Sequence, residues 1–207
     1  MGKNDHLVME EDHMEKLYSS GNPIIRWVFA RKLKGISGYV ADKNLKIFDA
    51  GCGEGQLIEK LHSSKPLNQY FGADVTSVAV EKARERCPYA AFKQCDLMEL
   101  DYPDECFDVV ICTEVLEHIY EYEKVISQLK RVLKKDGVLI INFPHESLWT
   151  VGRFFLGRRP IKVPDHVHAF SPKSMSDTVG LPIVEKTNLP INVPYVFSLG
   201  AIIKYKK

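Results

Sequence analysis

Three glycines at alternate positions, Gly51, Gly53 and Gly55, follow the acid Asp49, which closes a short apolar run beginning at Leu45. Glycine is required where a side chain would collide with a ligand or where φ must be positive. This loop can therefore let a flat, polar small molecule lie against backbone. The spacing separates two nucleotide readings. A dinucleotide fingerprint needs Gly-x-Gly-x-x-Gly, and its third glycine would fall where the chain carries Gln56. Asp74 lies about twenty residues past the loop, where an acid can accept from both ribose hydroxyls in other nucleotide-binding sheets. A lone acid of this kind is also a helix cap or a solvated strand end, but Asp74 and Asp96 in this order favour a site.

A second group could move a proton or hold an ion. Glu114, Glu117 and His118 are spaced so that they would meet on one face of a helix. Two carboxylates and an imidazole suit Mg²⁺, Mn²⁺ or Zn²⁺. The alternative is that Glu117 and His118 orient the loop while Glu114 only lines a cofactor pocket. His145, His166 and His168 fall nearby or in the segment that follows, and histidine is the usual base near neutral pH. His118 and His166 are the candidate catalytic residues.

Two stretches are locally basic and aromatic without an acid. Residues 24–40 carry Arg26, Arg31, Lys32 and Lys34 with Trp27 and Phe29; residues 149–163 carry Arg153, Arg158, Arg159 and Lys162 with Trp149, Phe154 and Phe155. The first reads best as an amphipathic helix whose lysines point to water. The second, whose apolar residues lack a clean period, reads as a substrate lid. Together they would suit an anionic or amphipathic acceptor, a lipid-like molecule, or single-stranded RNA.

The elements that must position these residues alternate. Strands are expected at 45–49, 69–74, 90–95, 107–112, 138–143, 183–186 and 199–205. Helices are expected at about 23–39, from Gln56, from Thr76 to Arg86, at 122–133 and at 172–179, with 144–170 a long irregular segment. Such alternation implies an α/β fold: a doubly wound, mostly parallel seven-stranded sheet, helices on both faces, and an antiparallel last strand. Ligands then bind beyond the carboxyl ends of the strands. Residues 1–40 form a helical arm or cap, and 41–207 form the main domain with its substrate-side insertion at 144–170. A chain of 207 residues, 45% hydrophobic, with net charge +1, suits one domain with no whole-molecule pull toward nucleic acid. Its five cysteines lack paired metal spacing, no apolar run spans a membrane, and the N-terminus is not signal-like. A cytoplasmic protein without stable membrane insertion is expected.

Residues 45–143 resemble the core of class I S-adenosylmethionine-dependent methyltransferases, in the small-molecule branch. The resemblance rests on Phe48 to Gly55, on Asp74, on Cys95-Asp96-Leu97, on Phe107 to His118 and on Arg131 to Gly137. The usual Pro-Gly-Gly turn before the fifth strand is Lys135-Asp136-Gly137 here. The resemblance implies a Rossmann-like fold and S-adenosylmethionine as cofactor. It places Asp49, Gly51, Cys52 and Gly53 against the methionine portion, Asp74 and Val75 at the ribose, Asp96 and the Leu97 N–H at the adenine, and Thr113 and Glu114 under the sulfonium. A similar Glu-x-x-Glu-His occurs in small-RNA 2′-O-methyltransferases and ubiquinone-pathway O-methyltransferases. That similarity implies a divalent ion held by Glu114, Glu117, His118 and His166.

The expected activity is methyl transfer from S-adenosylmethionine to an oxygen of a small or amphipathic molecule. A metal-assisted RNA 2′-O-methyltransferase and a cofactor-binding regulatory subunit without turnover are the alternatives. A nicotinamide oxidoreductase is a third, which Gln56 opposes.

Overall fold

The computed structural model describes residues 21–155 and 166–207, with side chains at 152–155 excepted. The expected arm at 1–20, and Arg158, Arg159 and Lys162 of the expected lid, lie outside the described residues, as do the side chains of Arg153, Phe154 and Phe155.

Helix α1 (Pro23–Tyr39) starts where the Asn22 side chain accepts from the Ile24 N–H and Pro23 takes the first helical position. The chain then alternates through β1 (Lys46–Ala50), α2 (Gln56–Ser64), β2 (Gln69–Asp74), α3 (Ser77–Arg86), β3 (Ala91–Gln94), β4 (Phe107–Thr113), α4 (Tyr122–Val132) and β5 (Leu133–Pro144). It finishes with α5 (Glu146–Phe155), α6 (Pro172–Val179), β6 (Ile183–Leu189) and β7 (Gly200–Lys206). The seven strands lie in the order β3-β2-β1-β4-β5-β7-β6. β1 to β5 are mutually parallel, and β7 runs antiparallel to both neighbours.

The strands are apolar on both faces because helices cover both, and their two-residue period splits the core in two. Ile47, Ile111, Ile140 and Ile202 pack with Ile36 of α1, Leu57 and Leu61 of α2 and Val80 of α3. Their sequence neighbours Phe48, Val110, Leu139 and Ile203 pack on the opposite face with Val125 and Leu129 of α4 and Met175 of α6. The chain leaves β1 toward β2 on one side and β4 on the other, so the crevice for a ligand opens between the carboxyl ends of β1 and β4.

Two local expectations change. β5 begins at Leu133, which pairs with Phe107, and pairing resumes at Val138 opposite Val109. Residues between them bulge, with Asp136 at φ +61°. Within the segment expected to be irregular, Glu146–Phe155 is helical. Its start is held by the His145 carbonyl, which accepts from the Leu148 and Trp149 N–H groups.

Candidate active site

The glycine loop begins where β1 ends. The Gly51 and Cys52 N–H groups both donate to the Ala73 carbonyl, at 2.8 and 3.0 Å, tying the loop to β2. Gly51 sits at φ +78°, and a Cβ there would lie 2.3 Å from Val115 Cγ2. Asp74, at the end of β2, accepts from the Gly53 N–H and from the Thr76 N–H, each at 2.9 Å. It therefore fixes loop and helix entry together, and its oxygens retain lone pairs for a ligand.

Asp49 is only 1% exposed, and its Oδ1 has no hydrogen-bond partner. Burial, then the nearby Asp74 charge, push its carboxyl well above the usual carboxylate range. A cationic ligand group beside it would offset both effects. Burial, with Asp49 and Asp74, also pushes the Cys52 thiol up, so this cysteine packs rather than reacts.

Along the same sheet edge, Asp96 caps a short 3₁₀ turn (Leu97–Glu99) by accepting from the Met98 N–H at 2.9 Å. Leu97 turns its side chain into the core, whereas Val75 is exposed. The Val75 carbonyl accepts from Gln94 Nε2 at 3.0 Å.

At the end of β4, Thr113 pairs with Asn142 of β5. Glu114 then enters the left-handed region at φ +52°, and its N–H donates to the Asn142 carbonyl. That backbone turn sends its side chain to α1, where Lys32 Nζ meets Glu114 Oε2 at 2.6 Å. The expectation of solvated lysines on this helix fails at Lys32, which is buried and lies over the Phe29 ring. Val28, Phe29, Lys32, Glu114, Asn142 and Trp149 enclose most of a cavity of about 20 Å³. That is room for about one water. Asn142 Oδ1 lacks a partner there, while its Nδ2 donates to the Ala201 carbonyl.

Beyond Glu114, Leu116–His118 forms a 3₁₀ turn rather than an α-helix, so Glu114, Glu117 and His118 do not share one face. Glu117 instead joins His118 and His166, with one donor atom from each lying within 4.8 Å of the others. The segment carrying His166 is anchored because the Val167 and His168 N–H groups both donate to the Glu117 carbonyl. The His118 and His166 rings meet edge to face, 4.6 Å between centroids, and His166 Nδ1 lies 2.6 Å from Glu146 Oε1. Glu117 is 1% exposed with neither carboxylate oxygen hydrogen-bonded. Burial, then Glu114, push its carboxyl well above the usual range.

The other two histidines face backbone. His145 Nδ1 accepts from the Leu148 N–H, and His168 Nε2 lies 3.2 Å from the Tyr120 carbonyl. Sequence reasoning missed Glu146 and Asn142 as site residues. The only signal for Lys32 was a cation on a helix that offers it no acid.

A family described as methyltransferase domain matches residues 41–168. A probable S-adenosylmethionine-dependent methyltransferase of Mycobacterium tuberculosis is 31% identical over 107 residues, covering 52% of this chain and 38% of that protein. The ubiquinone/menaquinone biosynthesis C-methyltransferase UbiE of Campylobacter jejuni is 26% identical over 151 residues, covering 68% of this chain and 64% of its own. The chain thus spans less than two thirds of the length of these relatives. Among solved structures, magnesium protoporphyrin IX methyltransferase (ChlM) from Synechocystis superposes with TM-score 0.72 at 20% identity, covering 95% of this chain and 93% of that one.

Proposed function

Because the chain belongs to the class I S-adenosylmethionine-dependent methyltransferases, we propose that it transfers a methyl group from S-adenosylmethionine to an oxygen of a small or amphipathic acceptor. The observation that carries this reading is the carboxyl edge of β1 and β2, where a buried, unpartnered Asp49 oxygen stands beside a loop clamped by Asp74. An ammonium group would supply the partner that Asp49 Oδ1 lacks. Asp74 would accept from ribose hydroxyls, with Val75 alongside. Asp96 would accept from the adenine amino group while the Leu97 N–H donates, and Thr113 and Glu114 would pass beneath the sulfonium. The bound cofactor supplies a methyl group that is already electrophilic.

What remains for the protein is to align an acceptor, an effect that contributes up to about 7–11 kcal/mol. The cavity between α1, Glu114 and Trp149 is where the acceptor would enter, and α1 or α5 must shift to admit one. Its apolar walls with a single ion pair suit an apolar molecule bearing a polar end. Exposed Ile24, Trp27 and Phe197 flank cavity-lining stretches in sequence and would extend that surface. An acceptor hydroxyl must also lose its proton, and the Glu117, His118 and His166 group is the candidate to take it in the metal-free protein.

Calorimetry with S-adenosylhomocysteine tests the cofactor, and undetectable binding at millimolar ligand would end the reading. Asp74→Ala removes acceptors for both Gly53 and Thr76 and should weaken binding at least tenfold; unchanged affinity would move the ribose elsewhere. Labelled methyl transfer to quinols, phenols, lipids and RNA, with mass spectrometry of products, tests the acceptor. Methyl on carbon, as the name of UbiE suggests for that relative, would overturn the oxygen assignment but not the activity.

A further inference from the structure

We propose that the outer stripe of α1 and the connection between β6 and β7 form a surface that docks reversibly on an anionic lipid bilayer. The surface goes beyond the methyl-transfer reading and does not depend on it.

Three observations converge. First, Ile24, Trp27, Arg31 and Lys34 are spaced three and four apart, so they form one stripe along α1. All four are exposed, whereas Val28, Phe29, Lys32 and Ile36 on the adjoining face are buried. Second, Arg31 Nε donates to the Pro190 carbonyl at 3.1 Å. That bond sets the stripe beside the connection, where Ile191, Val196 and Phe197 are exposed. Phe197, at 73% exposure, ends a 3₁₀ turn (Tyr195–Phe197) in which its N–H donates to the Pro194 carbonyl. An ordered backbone therefore presents this ring to solvent. Third, the charge has one sign. α1 contains no acid and residues 187–199 contain no charged side chain, although the whole chain carries only +1.

This combination selects the partner. The centre of a protein–protein interface is depleted of lysine. A single strand of nucleic acid needs a continuous cationic groove, and the stripe offers only Arg31 and Lys34. A bilayer surface takes both components at once. Aliphatic and aromatic side chains enter the boundary between headgroups and acyl chains, a depth that tryptophan favours, while the cations meet anionic headgroups. Val28 and Phe29 of α1 and Leu189 and Leu199 at the base of the connection line one cavity, so docking would bring its mouth to the bilayer. Entry of an acceptor from the lipid is a consequence that rests on the methyl-transfer reading.

The test is sedimentation of the full-length protein with vesicles of phosphatidylcholine alone and of two parts phosphatidylcholine to one part phosphatidylglycerol. Binding to the anionic vesicles should be at least about tenfold stronger and should fall as salt rises. Arg31→Gln combined with Lys34→Gln should lower partitioning about 20- to 30-fold, from about 1 kcal/mol per cation. Trp27→Ser and Phe197→Ser should each lower it at least about tenfold. Circular dichroism and urea melts confirm that each variant folds. Trp149→Phe leaves Trp27 as the only tryptophan, and quenching of its fluorescence by lipids with brominated acyl chains reads docking without altering the surface. Equal binding to both vesicles, an unquenched Trp27, or unchanged partitioning of the Trp27 and Phe197 variants overturns the proposal. A dimer at micromolar protein that Phe197→Ser dissolves would assign the surface to a second copy instead. Binding to oligouridine without binding to vesicles would likewise overturn it. S-adenosylhomocysteine binding measured on the same samples separates failure of this surface from failure of the methyltransferase reading.

Discussion

At the scale of single residues, the Lys32–Glu114 pair and the Gly51–Val115 contact do the most to shape the site. Lys32 is 6% exposed in its side chain and Glu114 is 29% exposed. Removing one partner of a fully buried pair costs about 3–5 kcal/mol, whereas exposed pairs contribute below about 1. Lys32→Met should therefore destabilise by about 1–3 kcal/mol, and Glu114→Gln in the same background should recover part of that loss. Urea unfolding of the four proteins in the cycle reads the coupling, and strictly additive effects would show that the contact is incidental. Gly51→Ala meets two obstacles at once, a left-handed backbone and a Cβ placed 2.3 Å from Val115. The backbone alone costs about 1–2 kcal/mol, and the clash would push the Val115 turn away from the loop. Weaker S-adenosylhomocysteine binding, together with a lower urea midpoint, is the expected outcome. A variant of unchanged stability would mean that the loop adapts freely.

At the scale of elements, α1 packs against the sheet through its last turns. Ile36 is fully buried among Ile47, Ile111 and Ile202, and a Cβ at Gly35 would lie 2.8 Å from Ile202 Cδ1. Ile36→Ala should lower global stability by about 2–4 kcal/mol, read as a shifted urea midpoint. A local increase in proteolysis of α1 with an unchanged midpoint would restore the view of a separate cap. The strands and this helix were legible in the sequence because their apolar periods are strong: Phe107 to Cys112 is apolar and buried except at Asp108, and Pro23 marks a helix start. α5 was not, because Thr150, Val151 and Gly152 lie mid-helix and all lower helical propensity; capping at His145 and tertiary contact hold it instead. The acids at strand ends were legible from their order. The partner of Glu114 was not, since helical spacing presumes an α-helix, whereas a left-handed residue and a 3₁₀ turn send Glu114 and Glu117 to different neighbours.

For the whole molecule, the buried Asp49 sets a trade between stability and ligand binding. Its carboxyl lies well above its ordinary value of 3.8 because of burial and then Asp74 at the end of β2. The thiols of Cys52 and Cys112 also feel its charge, and both are pushed up chiefly by burial. Between the ordinary value and the raised one, the folded chain keeps a proton on Asp49 that the unfolded chain has released. Stability from this group is therefore present below pH 3.8 and declines as pH rises through that window. Asp49→Asn carries no such proton, so the stability of the variant relative to the native chain should grow with pH from about 4 upward. The ligand reverses the balance. A ligand at 100 times its dissociation constant stabilises by about 2.7 kcal/mol. The native chain should gain more from a fixed S-adenosylhomocysteine concentration than Asp49→Asn, because only the carboxylate attracts the ammonium group as a charge. Urea unfolding of both proteins across pH, with and without S-adenosylhomocysteine, separates the two effects. Parallel pH curves would show that Asp49 is ionised in the folded chain. Equal ligand gains would show that it does not meet the ammonium group.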